Sequence, residues 1–171
     1  TLHDWTMEST LVAGKMEFEE GFKLDASLKP GKVNARVVAS MPVRQFKNGK
    51  YTGMDEVMQQ AMKEDKSPKI EYKLTELVFK EAPKNADAPY AFDSTGELTL
   101  AGVTKKISMP ITIFQVSPVR LKVAGTIGLK MSDYGVVPPA PKLALGAIKT
   151  GDEVKIIFEW VAAQRASAAK P

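Results

Sequence analysis

Residues 33–43, VNARVVASMPV, put an apolar side chain on every odd position: Val33, Ala35, Val37, Ala39, Met41 and Val43. Asn34, Arg36 and Ser40 fall between them, with Val38 and Pro42 on that second side. Successive side chains leave a strand on opposite faces, so a period of two predicts a strand with one face buried. The period returns in Ile107, Met109, Ile111 and Ile113, and again in Val119, Leu121, Val123, Ile127 and Leu129. It closes the chain in Val154, Ile156, Phe158 and Trp160, where Glu153, Lys155 and Glu159 take the other face. Shorter stretches at 5–8, 12–18, 70–79 and 96–100 read the same way. About eight strands joined by turns predict an all-β domain, either a sandwich or a closed barrel.

One segment departs from this period. Met54, Val57, Met58, Ala61 and Met62 recur at the spacing of a single helical face, opposite Asp55, Glu56, Gln59, Gln60 and Lys63. Thr52 or Gly53 caps its start, and Pro68 follows its end. Two readings stand for this short helix: it closes one end of the core, or its flexible methionines form an adaptable contact wall.

Composition removes most chemistry. The chain has 171 residues, the size of one domain, with no cysteine and one histidine. Thiolate metal sites, iron–sulfur clusters and cysteine nucleophiles are excluded, and so are His-pair metal sites. His3 neighbours Asp4, but adjacent residues on a strand face opposite ways, so they do not form a base and its orienting partner. Glu17, Glu19 and Glu20 read as a solvated face. No phosphate-loop, dinucleotide, nucleophile-elbow or zinc-helix motif is present. Catalytic residues, metal and cofactor are therefore all assigned as none.

The 24 basic and 20 acidic residues give a net charge of +4. With Lys105–Lys106 as the longest basic run and no stripe of Lys and Arg, nucleic acid is not an expected partner. Trp5, Phe18, Tyr72, Phe92, Phe158 and Trp160 lie within strand runs, which favours core packing over base stacking. No stretch reaches the roughly 18–20 apolar residues of a membrane helix. The first residue is Thr1, which leaves room for a leader upstream.

Two connections are long. Residues 81–90, EAPKNADAPY, are polar. Residues 132–152 carry Pro138, Pro139 and Pro141 and then an apolar stretch at 143–148, which reads as a lid or as packing outside the barrel. A barrel of about eight strands either fills with side chains or holds one small ligand. Ala35, Ala39 and Gly125 are small positions in rows of larger apolar residues, and could leave such room.

The second half resembles a known family. GELTLAGVTKKISMPITI at 96–113 is similar to the "G-x-L-T-x-x-G-V-T-K" hairpin of the YceI-like family, followed by an alternating strand. MSDYGV at 131–136 resembles its Ser/Arg-x-Phe-Gly segment, with Tyr134 for the usual Phe, and GDEVKIIFEWVA at 151–162 resembles its closing strand. MDEVMQQAMKEDKSPKIEYKL at 54–74 is similar to its short helix followed by "x-x-P-x-I-x-F", with Tyr72 as the aromatic, and LHDWTMES resembles the opening of a subgroup. Residues 14–32 depart most from the pattern.

The resemblance implies a lipocalin-like antiparallel eight-stranded β-barrel with an apolar interior, spanning 1–162, with 163–171 a flexible tail. It implies a periplasmic or secreted, non-enzymatic protein that binds, carries or sequesters a polyisoprenoid, isoprenoid quinone or fatty-acyl lipid. Strand parity then gives the tunnel lining as Val37, Leu98, Leu100, Met109, Ile111, Leu121, Val123, Ile156 and Phe158. Met54, Val57, Met58 and Met62 form the helix wall. Whether the chain pairs as a homodimer is open. The alternative is a solid barrel that acts through its surface on a membrane or respiratory partner.

Overall fold

In a computed structural model the chain is described over residues 6–50, 52–83, 85, 88–139 and 150–164. His3, Asp4, Trp5 and the apolar stretch 143–148 lie outside the described residues. Eight strands form one curled antiparallel sheet: β1 (Ala13–Phe18), β2 (Gly31–Val33), β3 (Ala35–Pro42), β4 (Lys69–Glu81), β5 (Tyr90–Leu100), β6 (Val103–Ser117), β7 (Arg120–Lys130) and β8 (Glu153–Ala163). The order is β1-β3-β4-β5-β6-β7-β8, with β2 paired to β4 beyond the end of β3. Among the described residues β1 and β8 share no ladder, so the sheet curls into an open barrel with a seam between its two edges.

The alternating run 33–43 is divided. Asn34 separates β2 from β3, and its carbonyl accepts the Glu19 N–H at 3.1 Å. In β4 alternation fails in the middle for another reason. Ile70, Tyr72 and Leu74 face inwards at even positions, but a bulge between Leu74 and Glu76 moves the inward set to Leu77 and Phe79. One extra residue in one strand shifts the parity of all that follow. The β5–β6 hairpin turns on Ala101 and Gly102, with φ of 51° and 82°, the pair of positive values that a two-residue turn between twisted strands requires. Ala101 takes that conformation while its methyl is buried at the foot of the barrel.

The β6–β7 ladder covers only part of β6. It stops at Ile111↔Gly125, beside Pro110, which has no N–H to donate to a neighbouring strand. Into the fork so opened goes a 3-10 turn, Met131–Tyr134, in contact with both strands. It ends at Gly135 in the left-handed region. Helix α1 (Thr52–Ala61) occupies the same end of the molecule, with Met58 and Ala61 packed against the cluster that contains Met131 and Tyr134. Gln59 Nε2 donates to the Arg44 carbonyl at 3.2 Å, and Asp55 accepts the Asn48 N–H at 2.7 Å and an ion pair from Lys47 at 3.4 Å. These bonds hold the helix to the chain that leaves β3.

Two apolar clusters result. The larger is built from β2 to β7 around Leu77, Phe79, Phe92, Ile111, Ile113 and Val123. The smaller, around Leu98, Met131, Tyr134 and Val136, closes the helix end. Tyr72 and Ile107 pack against both.

Candidate functional site

The inner face of the sheet is covered unevenly. On β4 to β6, Phe79, Phe92 and Ile113 are about 1% exposed. On β7 and β8, Leu121, Ile127, Leu129, Val154, Ile156, Phe158 and Trp160 have inward parity but are only half-buried. Met16 and Phe18 on β1, across the seam, are half-buried too. These aliphatic and aromatic side chains are directed to the concave side of the sheet yet reached by solvent, which leaves an apolar surface along the seam. An apolar guest there is stabilised by desolvation, about 0.8 kcal/mol for each CH₂ removed from water.

Three glycines shape the inner wall, each under an aromatic ring. A Cβ at Gly96 would stand 2.5 Å from Cζ and Oη of Tyr72, and one at Gly125 would stand 2.8 Å from the Phe158 ring. At Gly14 it would stand 2.5 Å from the Val38 carbonyl oxygen and 3.1 Å from Trp160 Cζ2. Glycine is required because ring or backbone already holds the space. This corrects the reading of Gly125 as free room for a ligand: Phe158 fills it.

The polar content of the wall is small. Tyr72 Oη lies 2.6 Å from Ser94 Oγ, and Ser94 is 2% exposed. Burial pushes the Tyr72 phenol above its ordinary pKa, against the opposing effect of the Ser94 bond. At the foot of the barrel the Tyr134 hydroxyl is buried with no hydrogen-bond partner among the described residues, and burial raises its pKa as well. Among the described residues, the buried polar or charged residue other than Ser94 is Asp55, whose carboxylate belongs to the helix anchor. Among the described residues no group of three or more His, Asp or Glu could hold a metal ion, and no helix is long and apolar enough to cross a membrane.

Of the residues assigned from parity, Val37, Met109, Ile111 and Val123 are buried in the larger cluster, with Leu121 and Phe158 packed against it. Leu98 and Leu100 belong to the smaller cluster at the helix end. Ile156 is half-buried on β8 opposite Ile127. On α1, Met62 is 2% exposed just past the helix and Met58 packs inwards, while Met54 and Val57 are half-buried. Trp160, Tyr72, Ser94 and Met16 were not assigned; the first two carried a signal, as aromatics in alternating runs.

A separate depression of about 530 Å³ lies over β1, β3, β4 and β5, lined by Lys15, Val38, Glu71, Lys73, Glu97 and Thr99 among others. Val38, Lys73 and Glu97 form one cross-strand row of outward parity, so this depression belongs largely to the outside of the sheet.

The YceI-like domain model matches residues 3–162. No curated protein matches the sequence. Solved structures do match in fold. The Campylobacter jejuni YceI protein aligns at 14% identity and a TM-score of 0.68, covering 97% of this chain and 88% of that one. Burkholderia cenocepacia BcnA aligns at 19% and 0.62, over 90% and 84%. A polyisoprenoid-binding domain from Saccharophagus degradans aligns at 12% and 0.60, over 76% and 77%.

Proposed function

Because the chain belongs to the YceI-like family, we propose that it binds a long apolar molecule in the cleft along the β1–β8 seam, and carries or sequesters it without chemical change. The observation behind this reading is the half-buried inner wall of β7 and β8, which faces the same side as a packed core yet stays open to solvent. Its chemistry suits a polyisoprenoid, an isoprenoid quinone or a fatty-acyl chain, and a polyisoprenoid-binding domain shares the fold. Export to the periplasm or beyond follows from the family resemblance. The test is native mass spectrometry of the purified chain after incubation with a long-chain isoprenoid quinone. A one-to-one adduct that organic solvent removes is expected; an unmodified mass at saturating quinone overturns the reading.

The outer depression supports a second reading, a surface that meets a membrane or respiratory partner through Lys15, Lys73 and the exposed Val38. Under it, the folded chain takes up no apolar molecule, and Lys73→Glu weakens attachment to the partner.

A further inference from the structure

The Tyr72–Ser94 pair is out of character with the wall around it. Two hydroxyls carry two hydrogens, and the contact between them uses one. The other has no further acceptor among the described residues. A buried O–H left without an acceptor costs about 1–3 kcal/mol, so a retained one has a use or a partner that arrives later. Tyr72 is where such a hydrogen can be met. Its ring lies over Gly96 on the inner face of the sheet, it packs against both apolar clusters, and the residue as a whole is half-buried.

We propose that the Tyr72–Ser94 pair donates a hydrogen bond to a neutral acceptor oxygen on the bound molecule. The inference rests on the apolar-cleft reading and narrows it: the ligand is an apolar chain bearing a carbonyl or ester oxygen, held by that oxygen inside the barrel. An ionised end is unsuited to the position. Among the described residues no Lys or Arg is buried, so a carboxylate or phosphate there would be desolvated without a counter-charge. The raised pKa of Tyr72 keeps its phenol protonated at neutral pH, available as a donor.

The experiment uses three probes of similar chain length: methyl laurate, tridecane and laurate. Their affinities are measured for the wild-type chain and for Tyr72→Phe/Ser94→Ala, which removes both hydroxyls and leaves the ring over Gly96. Methyl laurate should lose affinity by roughly three- to tenfold in the double variant, the worth of one hydrogen bond. Tridecane should bind both proteins alike. The ester carbonyl band of bound methyl laurate should lie at lower wavenumber in wild type and return in the variant, a shift that a merely structural role would not produce.

Unchanged ester affinity in the double variant overturns the anchor, and laurate binding as tightly as its methyl ester overturns the neutral end. If wild type binds neither methyl laurate nor tridecane, the cleft reading itself fails and the anchor with it. Should the double variant not fold, Ser94→Ala decides: it frees the Tyr72 hydrogen, so ester affinity should hold or rise. A fall to the level of tridecane contradicts the proposal.

Discussion

Trp160 on β8 lies against Gly14 on β1: a side chain on that glycine would begin 3.1 Å from the indole. The two strands share no ladder among the described residues, so this ring spans a seam that backbone hydrogen bonds leave open. The unused edges are ordinarily a liability, and here an aromatic side chain covers part of the gap. A side-chain contact, unlike a ladder, adds no row of backbone hydrogen bonds across the seam.

Gly14→Ala should destabilise the fold by about 1–3 kcal/mol, because the new Cβ meets the Val38 carbonyl oxygen at 2.5 Å as well as the indole. Gly128→Ala on β7 is the control, with open space around its Cβ and no left-handed backbone. It should gain about 0.5 kcal/mol from a less flexible unfolded chain. Urea unfolding of the two variants checks the contrast, and equal midpoints would remove the tight seam.

Ile156→Trp should lower affinity for a long apolar chain about tenfold, a loss near 1.4 kcal/mol, while the fold survives. Ile156 is half-buried on an edge strand, so a larger ring enters the cleft before it strains the core. Val123→Trp is the poorer block, since Val123 is 5% exposed within the larger cluster and overfilling costs about 1–3 kcal/mol of stability. Titration of both variants alongside their thermal unfolding separates the two effects.

Tyr134→Phe should stabilise the protein by about 1 kcal/mol, raising Tm by about 2–4 °C, because the hydroxyl is buried without a partner among the described residues. A scanning calorimetry trace that moves down would mean that the hydroxyl is satisfied.

Asp152 fastens the 3-10 turn to the start of β8. Its carboxylate accepts the Ser132 hydroxyl at 2.5 Å and the Ser132 N–H at 2.8 Å, and these bonds hold its pKa below the ordinary aspartate value. A depressed pKa means that the link is intact above the unfolded value, about pH 3.9, and is lost as pH falls through the folded one. The protection factor of the Ser132 amide, taken against its intrinsic exchange rate at each pH, should therefore fall as pH drops through the depressed Asp152 titration. The Asp152 carboxyl should titrate below free aspartate in an NMR experiment; a midpoint at or above the free value contradicts the link.

Most strands were legible because one face of the sheet is buried and the other wet, which writes a period of two into residues such as 107–113. The helix was legible from its own period at Met54 to Met62. The bulge in β4 was not, since Thr75 carries no mark that says it adds a residue to one side of a pair. The open seam was not legible either: alternation tells which face is buried, not which edges meet. Val119 shows the limit in small, continuing the run of β7 by parity yet standing in the turn, 53% exposed. Small residues misled for a related reason. Gly125 looks like room in the sequence, and only the register Gly125↔Phe158 shows what occupies it.

The central claim is that an apolar molecule sits in the cleft beside Trp160. The chain has two tryptophans, so Trp5→Phe leaves Trp160 as the sole indole. Titrating that variant with methyl esters brominated along the acyl chain measures contact directly, because bromine quenches an indole only at close range. Saturable quenching of Trp160 at one ligand per chain is the predicted result. Fluorescence that stays constant while native mass spectrometry records full binding would put the ligand elsewhere and contradict the account.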